Sequence, residues 1–281
     1  MSETPFDKIE TNLSDFIPPD LLKTVPDKWE KIGDILIIKL SKDLNEYKEK
    51  IGEIYADFLS CKTVLNDIGG ITGEYRKPDV EIIYGGSDTE TIHKENNVRF
   101  KLDPRKIMFS SGNMDERIRM ANISNSKETI VDLFSGIGYF TLPIAVHSKP
   151  KKIFACEKNP EAYEYLRQNI VLNNVTNIVE PLFGDNREIA PKNTADRIIM
   201  GYIGKTSNFL GIAFNCLKKN AGIIHFHEKY PEKKVPEIAL KNIKNVADSY
   251  NRDIKLIQYK EIKSYAPGIS HFVFDIGVVK K

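Results

Sequence analysis

Two glycines one residue apart follow an apolar run that ends in a carboxylate: Val131-Asp132-Leu133-Phe134-Ser135-Gly136-Ile137-Gly138-Tyr139-Phe140. Glycine lets a chain turn at positive φ and lets backbone N–H groups closely approach a nucleotide-like ligand. A second apolar run, Ile153-Phe154-Ala155-Cys156-Glu157, ends in an acid about 20 residues later. A carboxylate there can accept both hydroxyls of a ribose, which a neutral side chain does less well. Gly184-Asp185-Asn186 then supplies a carboxylate and an amide suited to the edge of an adenine. In open α/β sheets, ligands lie outside the carboxyl ends of the strands, where these three stations fall.

A dinucleotide fingerprint would add a third Gly or Ala three residues after Gly138. Thr141 stands there and Phe140 is bulky, so NAD is not expected. Asp-x-Phe-x-Gly-x-Gly, from Asp132 to Gly138, instead resembles motif I of the class I S-adenosylmethionine-dependent transferases. That resemblance implies a Rossmann-like α/β sheet and S-adenosyl-L-methionine as co-substrate. It also implies Phe134, Ser135, Gly136, Gly138, Glu157, Asp185 and Asn186 as its binding residues.

The elements that must position these residues can be read along the chain. Residues 1–30, rich in Asp, Glu and Pro, look like a loosely structured entry. Residues 34–40 read as a strand. Asp43 then reads as an N-cap, with Glu46 completing a capping box for a helix whose apolar stripe is Leu44, Tyr47, Ile51, Ile54 and Phe58. A strand at 63–65 ends before Gly69-Gly70. Strands at 80–84, 90–94 and 98–102, punctuated by Gly85-Gly86 and Asn96-Asn97, suggest a small antiparallel sheet. The expected division is an α+β domain over 1–100, serving tRNA recognition by the likeness described below, and a catalytic domain over 101–281. From 129 onward strand and helix signals alternate, with Asn159-Pro160 as cap and first residue of a helix carrying Ala162, Leu166 and Ile170. Strands at 198–200 and 222–226 flank a helix at 207–217. Runs at 254–262 and 271–279, joined by Ser264-Tyr265-Ala266-Pro267-Gly268, suggest a C-terminal antiparallel hairpin on a doubly wound parallel sheet.

Composition narrows the class. With 281 residues, 41% hydrophobic and 28% charged, the chain is an ordinary globular protein with room for two cores. No apolar run reaches membrane-spanning length, and the polar N-terminus has no signal-peptide core, so a cytoplasmic protein without membrane partners is expected. Three scattered cysteines, Cys61, Cys156 and Cys216, read as small buried hydrophobes in a reducing compartment. The net charge of +2 neither requires nor excludes nucleic acid.

Ahead of the glycine loop, Phe109-Ser110-Ser111-Gly112-Asn113-Met114-Asp115-Glu116-Arg117 combines a small-residue loop with a cation. Arginine suits the methionyl carboxylate of S-adenosylmethionine, and Ser110 can add a hydroxyl hydrogen bond. The alternative for Arg117 is a surface pair with Asp115, Glu116 or another acid.

These segments, with Glu74-Tyr75-Arg76-Lys77-Pro78, residues 89–96 and Tyr265-Ala266-Pro267-Gly268, resemble the tRNA-modifying family around the archaeal and eukaryotic guanine-N1 methyltransferase. That enzyme acts on the base just 3′ of the anticodon. A sister branch, in wybutosine synthesis, transfers the 3-amino-3-carboxypropyl group of S-adenosylmethionine to the tricyclic 4-demethylwyosine of tRNA(Phe). In family terms Ser110, Arg117, Glu157, Asp185 and Asn186 align with cofactor contacts. The methyltransferases carry an Asn-Leu-Pro type turn after the fourth strand; this chain has Met200-Gly201-Tyr202-Ile203-Gly204, which looks like the Gly-Tyr-x-Gly turn of the sister branch. The resemblance therefore implies aminocarboxypropyl transfer with release of methylthioadenosine, guanine-N1 methylation being the alternative; a monomer is the expected form, although the sequence itself does not fix the oligomeric state.

A sulfonium has three electrophilic carbons, and the one held in line about 3–3.5 Å from the nucleophile reacts. On this reading Arg117 and Ser110 set the pose of the methionyl arm. Gly201 and Gly204 let backbone approach a flat base, and Tyr202 shapes its pocket. No general base can be nominated. His225 and His227 share one strand face, but without further clustered ligands no metal is expected. Lys149, Lys151, Lys152, Lys218, Lys219, Lys233 and Lys234 would form an RNA footprint only if they shared a face.

Overall fold

The structure is a computed structural model describing residues 3–219 and 221–281. Its contacts divide the chain into two units. The first runs to Lys94 and takes up Arg99–Ser111; the second holds Glu95–Val98 and Gly112–Lys281. Residue 100 lies within the Arg99–Ser111 stretch that goes with the first unit.

In the first unit, α1 (Pro5–Leu13) and α2 (Pro19–Leu22) occupy a stretch expected to be loose. Thr4 caps α1 in a full capping box: its hydroxyl accepts from Asp7 N at 3.2 Å, and its own N–H donates to Asp7 Oδ2 at 2.7 Å. Ile9, Leu13 and Ile17 are buried, so apolar anchors outweigh the acidic composition. Strands β1 (Glu30–Ile32) and β2 (Ile35–Ile38) precede α3 (Lys48–Leu59). Asp43 does not cap a helix; it lies inside a 3-10 turn, Lys42–Tyr47, and α3 starts after it. Leu44, Ile51 and Ile54 are buried as the spacing predicts, whereas Phe58 is exposed and Tyr55 takes its place.

Strand β3 (Thr63–Thr72) continues through Gly69-Gly70, where a bulge replaces the expected break and Gly70 takes φ +70°. It pairs antiparallel with β4 (Lys77–Gly85) and parallel with β2. Strands β5 (Thr91–Glu95) and β6 (Val98–Leu102) form a separate two-stranded sheet, not part of the β1-β2-β3-β4 sheet, with Asn96 and Asn97 both at positive φ in its turn.

The second unit begins with α4 (Met114–Met120) and then alternates: β7 (Thr129–Asp132), α5 (Thr141–His147), β8 (Lys152–Glu157), α6 (Pro160–Leu172), β9 (Val179–Phe183), α7 (Asn186–Ile189) and β10 (Arg197–Met200). There follow α8 (Leu210–Cys216), β11 (Ala221–Pro231), α9 (Glu237–Ser249), β12 (Arg252–Ala266) and β13 (Ile269–Lys280). Asn159 caps α6 through its side chain, as expected, and α9 is an element that the motif reading did not include.

The seven strands lie in the order β9-β8-β7-β10-β11-β13-β12. All neighbours are parallel as far as β11, and β13 runs against both β11 and β12. The doubly wound sheet with its terminal hairpin is therefore present, with β13 inserted between β11 and β12. One face of the sheet packs Ile224, Phe226, Phe274 and Ile276 with Phe214 of α8 and Ile243 of α9 in a continuous apolar core. Strand order reverses between β7 and β10, and the crevice at that switch is where such sheets bind ligands.

Candidate functional site

The glycine turn after β7 is a wired structure. Asp132 is fully buried; its carboxylate accepts from Phe134 N at 3.2 Å and from the Thr141 hydroxyl at 2.8 Å. The residue that breaks the dinucleotide fingerprint thus anchors the start of α5 to the end of β7. Ser135 N and Oγ both donate to Cys156 O, at 3.0 and 3.1 Å. Gly136 sits at φ +56° and Gly138 at φ +102°, and a Cβ on Gly138 would lie 2.6 Å from Leu142 Cγ.

Glu157 closes the second station. Its Oε2 accepts from Gly136 N at 2.7 Å and its Oε1 from Asn159 N at 2.8 Å. Burial pushes its carboxyl up, against the pull of these N–H donors. Burial also raises Asp132 to about 7. At the third station Asp185 caps α7, accepting from Arg187 N at 3.0 Å, and the Arg187 guanidinium holds its carboxyl well below the usual range. Asn186 donates to Leu133 O at 2.8 Å, which draws it against the first station, and its buried Oδ1 has no partner.

Around these stations the carboxyl ends of β7 and β10 carry an aromatic group. Phe134 stacks on Tyr202 with ring centres 5.1 Å apart, and Phe209 meets Phe134 edge-on at 4.9 Å. The Gly201–Gly204 turn is pinned by Glu228, which accepts from Gly204 N at 3.0 Å and from Thr206 N at 2.7 Å. Motif reading gave Glu228 no role; its place after His227, at the carboxyl end of β11, was the available signal. Gly201 packs against Phe140, so a Cβ there would lie 2.8 Å from that ring.

The sheet therefore brings together Phe134, Ser135, Gly136, Gly138, Glu157, Asp185, Asn186 and Tyr202. Arg117 is placed differently from the surface alternative. It is buried in α4 and donates to Glu95, with Nη2 to Oε2 at 2.8 Å, while neighbouring Glu116 pairs with Arg119. Ser110 lies in the last residues of the first unit. His225 is held between Asp275, at 2.5 Å, and Arg197, at 2.7 Å. His227 stacks on Phe140 and meets His271 at 3.1 Å. Among the described residues no His, Cys, Asp and Glu cluster has the arrangement of a metal site, and no helix is long and apolar enough to cross a membrane. Cys156 and Cys216 are buried free thiols.

Two positive-φ glycines after β7, an acid closing β8 and a buried orphan amide oxygen on Asn186 are donor and acceptor groups of the kind a nucleoside co-substrate such as S-adenosylmethionine requires. With the sheet order above, they define a class I S-adenosylmethionine-dependent transferase. Residues 91–257 match the family model of the TRM5/TYW2 methyltransferase domain, and residues 9–89 that of the TYW2 N-terminal domain. The chain belongs to the TRM5/TYW2 family. It is 43% identical over 273 residues (97% of each chain) to the tRNA(Phe) (4-demethylwyosine(37)-C(7)) aminocarboxypropyltransferase of Pyrococcus horikoshii. It is 49% identical over 250 residues (88% of this chain, 96% of the other) to the enzyme of the same name from Methanocaldococcus jannaschii. The crystal structure of P. horikoshii TYW2 in complex with MeSAdo superposes with a TM-score of 0.88 at 41% identity, over 97% of this chain and 98% of that one.

Proposed function

We propose that this chain transfers the 3-amino-3-carboxypropyl group of S-adenosylmethionine to C7 of 4-demethylwyosine at position 37 of tRNA(Phe), releasing methylthioadenosine. The observation that carries this is near-full-length similarity to two enzymes of that name. The Gly201-Tyr202-Ile203-Gly204 turn, free of Asn and Pro, supports it at the residue level.

When bound, S-adenosylmethionine supplies a sulfonium whose γ-carbon is the electrophile. Glu157 takes the ribose hydroxyls, and its bonds to Gly136 and Asn159 fix the direction of its lone pairs. Asp185 and Asn186 take the adenine edge, Phe134 borders it, and Ser135, Gly136 and Gly138 shape the backbone around the ligand. Ser110 and Arg117 are assigned to the methionyl arm, with Glu95 fixing the rotamer of Arg117 so that the arm meets a preset cation. Tyr202, between two glycines held by Glu228, borders the flat acceptor base. Positioning supplies most of the rate here, since no side chain of the site stands out as a general base.

The module over residues 1–100 guides the tRNA, residues 101–281 carry the S-adenosylmethionine site, and a monomer in the reducing cytoplasm is the working form. The nucleoside product decides the reaction. Chromatography of the spent cofactor is expected to give methylthioadenosine; S-adenosylhomocysteine would instead establish methyl transfer.

A further inference from the structure

The Gly201–Gly204 turn runs on into a residue whose type its backbone does not favour. Lys205 takes φ +66° and ψ +28°, where a Cβ crowds the following carbonyl oxygen and glycine fits more easily. Among the other described non-glycine residues at positive φ most are Asn, which tolerates this region; Ser60 and Lys149 follow helices, and Arg76 turns β3 into β4. Lys205 ends no helix and turns no hairpin. Its backbone is held from both sides. Glu228 Oε1 accepts from Gly204 N at 3.0 Å and Oε2 from Thr206 N at 2.7 Å, and the Thr206 hydroxyl donates to Tyr202 O at 2.5 Å. Residues 202–206 are therefore one closed loop, with Thr206 buried beneath it and the Lys205 side chain exposed. Unfavoured backbone that surrounding bonds hold in place gathers at positions that serve a ligand.

The charge of Lys205 is also unpaired: no carboxylate among the described residues forms an ion pair with it. Glu228, the acid under the loop, is buried, and its Oε1 takes a further N–H from Lys229 at 3.0 Å. The lysines that the sequence offered for RNA do not share one face. Lys149, Lys151 and Lys152 stand at or before the start of β8, and Lys218 and Lys219 before β11, all at the amino ends of the strands. Of these, Lys152 pairs with Glu180 at 2.9 Å and Lys218 with Asp196 at 2.6 Å. Lys233 and Lys234 follow β11 at its carboxyl end, beside Glu232. Lys205 follows β10, at the carboxyl end of the sheet where strand order reverses.

We infer that Lys205 anchors the acceptor nucleotide: its ammonium meets a phosphate of the tRNA chain next to the target base, while Tyr202, on the same loop, borders the base itself. Tyr202 stacks on Phe134 of the turn after β7, so this loop lies against the crevice in which such sheets bind ligands. Base and backbone of one nucleotide are thus set by two residues of a single pinned loop. A lysine is a point charge, which positions a phosphate and reads no base. The methionyl carboxylate of S-adenosylmethionine is an anion of similar chemistry, and the test separates the two. The inference rests on the reading of tRNA as substrate.

The test compares wild type with K205G, K205R and K205E. Glycine suits this backbone, so K205G is expected to keep the wild-type urea midpoint and to lose only the cation. Affinity is measured toward tRNA(Phe) and toward a tRNA of another identity, between about 50 and 200 mM salt, and separately toward S-adenosylmethionine. K205G is expected to bind tRNA roughly 3- to 10-fold more weakly, with a salt slope shallower by about 1. K205E is expected to bind more weakly still, K205R to match wild type, and S-adenosylmethionine affinity to stay unchanged. Should K205G lower the urea midpoint, K205R against K205E decides, since both keep a long side chain on the same backbone. Unchanged tRNA affinity and slope would overturn the anchor, while a wild-type preference for tRNA(Phe) left the proposed substrate standing. A loss confined to S-adenosylmethionine would overturn it too and assign the cation to the methionyl carboxylate. Lysine-dependent binding with no preference among tRNAs would support the anchor and remove the substrate reading.

Discussion

The backbone N–H of Gly136 donates to Oε2 of Glu157 at 2.7 Å, so the glycine turn after β7 and the acid ending β8 are set by one hydrogen bond. A charged acceptor oriented by backbone donors is a stronger and better-aimed partner for a ribose diol than a free surface carboxylate. The same bond makes the turn sensitive to any change at Glu157.

Replacing Glu157 by Gln removes the charge and leaves one acceptor oxygen to serve Gly136, Asn159 and the ribose. Hydrogen bonds to charged groups contribute about 1.5–3 kcal/mol each, so S-adenosylmethionine should bind roughly 10- to 100-fold more weakly. Isothermal titration calorimetry reads this; unchanged affinity would remove Glu157 from the ribose site.

Asp132 gives a pH signature. Its folded carboxyl titrates at about 7, above its ordinary 3.8, because burial penalises the charged form. Between those values the unfolded chain has released a proton that the folded chain still holds, so this group's contribution to stability falls as pH rises through that window and levels off above it. Glu116 and Glu157, also raised by burial, act in the same direction. The Asp132→Asn variant, which can still bond Thr141 and Phe134, should lose less stability than wild type between pH 5 and 8. Thermal melts across that range, with a Tm difference of a few degrees at pH 8, would check it. Parallel curves for the two proteins would contradict it.

Glu228 is buried beneath the Gly201–Gly204 turn, and Glu228→Ala leaves the N–H groups of Gly204 and Thr206 without their acceptor. With that turn proposed to border the acceptor base, turnover should drop about tenfold or more while S-adenosylmethionine affinity changes no more than about threefold. A loss of cofactor affinity as large as the loss of turnover would assign Glu228 to the cofactor site instead.

Gly138 at φ +102° admits no ordinary side chain, and a Cβ would meet Leu142 Cγ at 2.6 Å. Gly138→Ala should lower stability by about 2 kcal/mol or more in urea titration. A midpoint like that of wild type would show that the turn can relax.

Features set by a few consecutive residues were legible in the chain. Asn159-Pro160 starts α6, Asn96-Asn97 turns β5 into β6, and the apolar runs ending in Asp132 and Glu157 are strands whose last residues reach the crevice. Features set by distant partners were not. Arg117 was legible as a cation but not as buried, because its counter-ion Glu95 lies 22 residues upstream. Asp43 carries the cap signature, yet the 3-10 turn around Leu44 delays the helix. Helix α1 hides in an acidic stretch, since the burial of Ile9 and Leu13 depends on the core assembled with α3 and β2. Glu228 stands in a run whose two histidines draw attention to metals, and only the fold shows its carboxylate bonded to a turn 22 residues away.

In the proposed reaction the aminocarboxypropyl carbon, and not the methyl carbon, reaches the base. Two samples of S-adenosylmethionine, labelled on the carboxyl carbon or on the methyl carbon, are incubated with the chain and tRNA(Phe) bearing 4-demethylwyosine. Carboxyl label is expected in the RNA and methyl label only in the released nucleoside. Methyl label in the RNA, with none from the carboxyl carbon, would contradict it.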